Sequence, residues 1–177
     1  MNSELHLILG PMFAGKSTFM INKVNNLLSS GVLPTEIITI NHSSDSRYDI
    51  GKICSHDGIK IDSITCNTLQ SIMDKMHIPK YIFIDEGQFF NDLYDIITAI
   101  LKNNKMEKAI YISGLDGDFK KEKIGFLLDL IPHCDEVYKL KSLCSECKDG
   151  THGIFSFRIT NEKDQVVIGA DNYKPLC

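Results

Sequence analysis

Along the first 140 residues, short apolar runs alternate with stretches whose hydrophobic residues recur every three or four positions. "ELHLIL" (4–9) and "EIITIN" (36–41) read as strands, and "KYIFID" (80–85) as a continuous apolar strand buried on both faces. "KAIYIS" (108–113) is a further strand, and "EVYKL" (136–140) a last central strand. Between them the spacing of Phe19, Met20, Val24, Leu27 and Leu28 predicts a helix over 16–30, with Gly31 as its stop. Further helices are predicted over 69–76 and 92–103, and a short one over 125–130 that ends before Pro132. The polar stretch 43–58 has no period and reads as a loop, followed by a weaker strand over 59–64.

Strands separated by helices of 10 to 15 residues imply crossover connections and a mainly parallel sheet, hence an α/β fold. After Leu140 the pattern changes. "IFSFRIT" (154–160) and "QVVIGA" (165–170) read as the two strands of a small antiparallel ribbon. The chain therefore divides into a nucleotide-binding unit over 1–140 and a smaller unit over 141–177, at a change of architecture. A length of 177 residues suffices for one full core and an appendage of this kind.

A strand–turn–helix at the N-terminus carries the first chemistry. "GPMFAGKS", Gly10 to Ser17, fits G-x-x-x-x-G-K-[ST] between a strand and a helix, the context that motif requires. In such a loop successive backbone N–H groups, here of Gly10, Pro11 (which lacks one), Met12, Phe13, Ala14, Gly15, Lys16, Ser17 and Thr18, surround phosphate oxygens. Lys16 would reach the β- and γ-phosphates of a nucleoside triphosphate and Ser17 would ligate Mg²⁺. In folds of this type the acid ending a neighbouring strand orients the same ion, and Asp85 fits that role. Glu86, one residue further, is either a general base for whatever attacks the γ-phosphate or a surface glutamate in a salt bridge. Phe89 and Phe90 suit a flat acceptor such as a nucleobase, or else belong to the core.

Charge and composition narrow the field. A net charge of −4 gives no basic footprint for nucleic acid, and no apolar run approaches the roughly 20 residues of a membrane span. Neither a nucleic-acid nor a membrane partner is expected, and the N-terminus lacks a basic leader, so the expected compartment is the cytosol. Of the six cysteines, Cys144 and Cys147 form a C-x-x-C pair of the kind that binds zinc in a reducing compartment.

Taken together, "GPMFAGKST", "DSRY" (45–48), "HDG" (56–58), "IDEGQFF" (84–90), "GLDGDF" (114–119), "LCSEC" (143–147) and "GADNY" (169–173) occur in the order found in the cytosolic type II thymidine kinases, cellular, bacterial and poxviral. The chain resembles that family over nearly its whole length, and its short extensions resemble viral members. The resemblance implies a RecA-like P-loop domain with a mainly parallel sheet, joined to a zinc-bearing lasso domain and assembled as a homotetramer. It implies phosphorylation of thymidine by Mg-ATP, with feedback inhibition by dTTP. Glu86 matches the family's catalytic base, and Arg47 the arginine near the phosphates; Arg158 is the weaker candidate for that task. Met12 and Leu115 match the pocket around the thymine methyl group, Phe89 another pocket residue, and Phe119 the ring against the base. Tyr173 matches the tyrosine that reaches the sugar, Ser156 a small hydroxyl residue, and Asp164, Gln165, Val166, Val167 and Ile168 the segment whose main chain bonds the pyrimidine edge. Ile168 and Ile124 stand where many relatives have glycine and phenylalanine, which leaves the exact nucleoside preference open.

The same likeness pairs Cys177 with Cys144 and Cys147 as structural zinc ligands. The candidates for the fourth ligand are His152, the terminal carboxylate, water and residues beyond Cys177, the last being expected. Two other functions compete with the kinase. One is a P-loop ATPase or motor in which Glu86 activates water, and the other is a zinc-ribbon module that only senses nucleotide. The motor would need a second domain or a basic track that this acidic chain does not supply.

Overall fold

The computed structural model describes residues 3–44, 51–55, 58–103 and 107–177. Strand β1 (Glu4–Leu9) leads through the glycine-rich loop into helix α1 (Lys16–Ser29) and strand β2 (Ile37–His42). A hairpin of β3 (Lys52–Cys54) and β4 (Lys60–Asp62) follows, then β5 (Ile64–Cys66), the one-turn helix α2 (Met73–Met76) and β6 (Tyr81–Asp85). Helix α3 (Leu93–Lys102), β7 (Ala109–Gly114) and β8 (Glu136–Lys139) complete the large unit. The small unit holds β9 (Ser142–Leu143), β10 (His152–Gly153), β11 (Phe155–Arg158) and β12 (Tyr173–Leu176).

Six strands form one sheet in the order β5-β2-β6-β7-β1-β8, and every pairing in it is parallel. The strands in the middle are apolar throughout because both faces are covered. Leu5, Leu7, Ile82, Ile84, Ile110 and Ile112 point to one face, against Leu93, Ile96 and Ile97 of α3. Ile8, Phe83 and Tyr111 alternate to the other, against Met20 and Val24 of α1. Phe83 and Phe90 are fully buried, so truncating either to alanine removes about 3–5 kcal/mol.

The expected strands and helices recur, with five corrections. The stretch 43–58 is more than loop, since β3 lies within it and buries Ile53 and Cys54. The expected strand 59–64 is two pieces: β4 turns back on β3, while β5 joins the main sheet. The short helix begins later, at Leu128, and runs through Pro132 to His133 as a 3₁₀ turn, where proline's missing N–H is tolerated. Strand β8 lies at the sheet edge, paired with β1 alone, and its residues are largely exposed. Finally, β11 pairs with Tyr173–Leu176 and not with 165–170.

Because all six strands run the same way, their carboxyl ends open on one edge. The phosphate loop after β1, Ser43–Ser44 after β2, Glu86 after β6 and Leu115 after β7 collect there, where ligands bind in open α/β sheets. His42 closes β2 at that edge. Its Nδ1 accepts the Ser44 N–H at 3.0 Å, its Nε2 lies 3.1 Å from the Asn67 carbonyl, and its ring meets Phe90 edge-on at 4.7 Å.

Burial holds the His42 pKa below the ordinary 6.5, against the opposing pull of the Asn67 carbonyl and Asp92. The unfolded chain therefore binds the proton more readily, and the neutral form's stability is complete above about pH 6.5 and declines as pH falls through it. Thermal unfolding followed from about pH 7.5 to about pH 5.5 is expected to show this decline, and His42→Asn is expected to flatten it while lowering the melting temperature throughout.

Candidate active site

The glycine-rich loop is fixed from three sides. A Cβ at Gly10 would lie 2.7 Å from the Leu140 carbonyl and 3.2 Å from Ala14 Cβ, so only glycine lets the end of β8 approach the loop. Gly15 sits in the left-handed region (φ 80°, ψ 22°) as the N-cap of α1, and its carbonyl accepts the Phe19 N–H at 2.9 Å. Phe13 shares that region (φ 64°) without glycine's freedom, a strain of order 1–3 kcal/mol that concentrates at functional sites. Lys16 is buried, and its ammonium donates to the Pro11 carbonyl at 2.9 Å, beneath the curl of the loop. The first turn of α1 holds no acidic residue, leaving its N-terminal amides and dipole to an anion.

Asp85 is 3% exposed at the end of β6, where an ionised carboxylate needs donors. Oδ2 accepts the Ser17 hydroxyl at 3.1 Å. Oδ1 accepts the Ser113 hydroxyl from β7 and the Glu86 N–H at 3.0 Å. One acid thus ties α1, β6 and β7 together. Glu86 adopts left-handed geometry (φ 53°, ψ 42°), which turns the chain sharply out of the strand. It too is buried, and its Oε2 accepts the Gln88 side-chain amide at 2.6 Å. Gln88 Oε1 in turn accepts the Leu115 N–H at 3.1 Å. No role for Gln88 was read from the sequence. The signal that could have found it is the pair Gly114 and Gly125, where added Cβ atoms would meet Gln88 atoms at 2.3 and 2.2 Å.

A cavity of about 440 Å³ opens beside these groups. Of the residues singled out in the sequence, its wall brings together Met12 to Thr18, Glu86, Phe89, Leu115, Phe119 and Ile124. The opposite wall holds Ser156, Gln165 to Ile168, and Tyr173. Gly10, Pro11, Asp85 and Asp164 lie outside it, while Ser44, Cys54, Gly117, Asp118 and Gly169 were not foreseen in it. The two phenylalanines of "QFF" separate: Phe89 lines the cavity and Phe90 belongs to the core. Arg47, His56 and Asp57 lie outside the described residues.

The wall over 162–168 has no strand partner. Its carbonyls instead converge on Arg158, which is 6% exposed. One guanidinium nitrogen donates to the carbonyls of Glu162 (3.1 Å) and Asp164, and the other to that of Gln165 (3.1 Å) and to the Tyr173 hydroxyl. The guanidinium also stacks on Phe119, 3.9 Å from the ring centre. This overturns the idea of Arg158 as a phosphate ligand, because its donors hold the wall. The Tyr173 hydroxyl accepts the Val167 N–H at 3.2 Å, and Gln165 bridges Asp118 and the Lys123 carbonyl, each at 3.1 Å. Ser156 accepts the Met12 N–H at 2.9 Å and so joins the ribbon to the phosphate loop.

Cys144, Cys147 and Cys177 place their sulfurs within 4.8 Å of one another, with Cys147 and Cys177 3.9 Å apart. Tetrahedral zinc at Zn–S of about 2.3 Å requires sulfurs about 3.8 Å apart, so the three thiols suit that ion. Backbone N–H groups of Cys147, Cys177 and Glu146 lower the Cys144 thiol to about 7, toward the ligating thiolate. Hydrogen bonds with the two neighbouring thiols raise Cys147 to about 11. Among the described residues His152 does not join the group.

A parallel sheet, a phosphate loop and a strand-ending acid bonded to that loop's serine define a P-loop nucleotide-binding α/β protein. The family model described as "Thymidine kinase" matches residues 3–177. The thymidine kinase of rice is 37% identical over 98% of this chain and 64% of its own length. That of sheeppox virus is 35% identical over 98% of the chain and 93% of the viral protein. The human cytosolic enzyme is 30% identical over 98% and 71%. The chain belongs to the thymidine kinase family, a family of ATP-dependent phosphotransferases.

Replacing Arg158 with methionine leaves the carbonyls of 162–165 without their donor. Equilibrium unfolding in urea is expected to report a loss of about 2–4 kcal/mol, and limited proteolysis to cut first within 160–168.

Proposed function

We propose that this chain transfers the γ-phosphate of ATP to the 5′-hydroxyl of thymidine, with Glu86 as general base. The observation that carries this reading is the position of Glu86, on the cavity wall between the phosphate loop and a wall rich in apolar and aromatic side chains. A water-activating ATPase has no use for that wall, and a nucleotide sensor has no use for the buried glutamate. A pyrimidine nucleoside between Phe119 and the segment 165–168 would present its hydroxyl to Glu86 and to the triphosphate held by Lys16.

In the reaction, the Glu86 carboxylate takes the hydroxyl proton as the O5′–Pγ bond forms. The bond from Pγ to the β–γ bridging oxygen breaks, and ADP leaves with that electron pair. Ser17 and Asp85, a hydroxyl and a carboxylate 3.1 Å apart, are the hard oxygen donors that would hold Mg²⁺. When bound, that ion neutralises charge on the β- and γ-phosphates. Lys16 supports the same charge from beneath the loop. Arg47 would add to it and lies outside the described residues.

Cys144, Cys147 and Cys177 would hold a structural zinc. The division into 1–140 and 141–177, assembly as a homotetramer, inhibition by dTTP and residence in the cytosol belong to the same proposal. No helix among the described residues is long and apolar enough to cross a membrane.

Two measurements check this reading. With γ-labelled ATP and a panel of nucleosides, label is expected on thymidine, and Glu86→Gln is expected to lower kcat about 100-fold or more with ATP binding unchanged. Label released to water regardless of nucleoside would favour the ATPase, and no turnover the sensor. Elemental analysis is expected to find one zinc per chain, lost in Cys147→Ser together with thermal stability.

A further inference from the structure

We infer that Gln88 is the positioning residue for Glu86, holding one carboxylate oxygen in place so that the other is left to face the acceptor hydroxyl. The inference rests on the base role proposed above for Glu86 and goes beyond it.

The amide's orientation is fixed by its neighbours. A backbone N–H can only donate, so the Leu115 N–H identifies the atom it meets as Gln88 Oε1. The other end is then the NH₂ group, which can only donate, and it meets Glu86 Oε2 at 2.6 Å. A short N–H···O bond of this kind fixes the place of the carboxylate oxygen it meets. Gln88 is 2% exposed, so the bond is formed out of water, where it is strongest.

The backbone around it leaves the amide no second place. A Cβ at Gly114 would come within 2.3 Å of Gln88 Oε1, and a Cβ at Gly125, itself at φ 56°, within 2.2 Å of the Gln88 carbonyl. Gly114 thus admits the amide, and Gly125 the backbone that carries it. Leu115 lines the cavity four residues before Phe119, so the same amide joins the base to the loop that borders the acceptor. A displacement of that loop would be transmitted through Gln88 to Glu86.

The test compares kcat, the KM values for ATP and thymidine, and the melting temperature of wild type, Gln88→Met and Gln88→Glu, with Glu86→Gln alongside. Gln88→Met keeps the length and removes the donor; Gln88→Glu sets a second carboxylate against the first. In each variant KM for ATP and for thymidine is expected to stay within about twofold while kcat falls, further in Gln88→Glu than in Gln88→Met. Gln88→Met is expected to lose about 10-fold or more in kcat near neutral pH. A kcat in Gln88→Met within about twofold of wild type overturns the inference, as does a fall accompanied by comparable rises in both KM values and a lowered melting temperature, which a purely structural role predicts. If Gln88→Glu does not fold, Gln88→Met decides alone. Near-normal transfer by Glu86→Gln would instead remove the base reading itself, and the two failures are therefore distinguishable.

Discussion

Three parts of the chain meet at the carboxylate of Asp85. Burying an ionised acid at the end of a central strand is unfavourable unless donors replace the lost water. Here they come from Ser17 in the first turn of α1, Ser113 at the end of β7 and the N–H of Glu86. Those bonds fix the phosphate loop to the sheet edge and set the left-handed turn that swings Glu86 toward the cavity. Removing the carboxylate would release all three at once. The remaining features of the site, from the Gln88 clamp to the seat of the ion, presuppose this junction.

The second wall of the cavity is built by different means. A segment with no sheet partner is held by one guanidinium that gathers its carbonyls and stacks on Phe119. Gln165 ties it to Asp118 of the facing loop, and Ser156 ties the ribbon to the phosphate loop. The cavity therefore lies between a rigid sheet edge and a strap secured by side chains. In the ribbon the Cys144 N–H donates to the Thr151 carbonyl and the Ser145 N–H to that of Pro175.

How much of this was legible in the sequence follows from which interactions are local. Strands β6 and β7 could be read because burial on both faces writes an unbroken apolar run, and the loop from Gly10 to Ser17 because its glycines answer a local backbone demand. The segment 165–168 was misread as a strand. Val166, Val167 and Ile168 are apolar because they face a cavity, and the carbonyls nearby go to Arg158 rather than to a neighbouring strand. Strand β12 was hidden by Pro175, which reads as a breaker but is tolerated in a two-stranded ribbon. The role of Gln88 was invisible because its partners are 2 and 27 positions away and its turn looked ordinary. The likeness to thymidine kinases supplied the candidates across these gaps. The geometry then separated Phe89 from Phe90 and assigned Arg158 to the wall.

The account turns on whether Glu86 faces an acceptor hydroxyl aligned with a triphosphate in the loop. A crystal structure with thymidine and a non-hydrolysable ATP analogue measures this directly. It is expected to place a Glu86 carboxylate oxygen about 2.6–3.2 Å from the nucleoside 5′-oxygen, with the pyrimidine between Phe119 and the segment 165–168. A nucleoside bound elsewhere, or a 5′-oxygen contacting some other base while Glu86 points away, would contradict it.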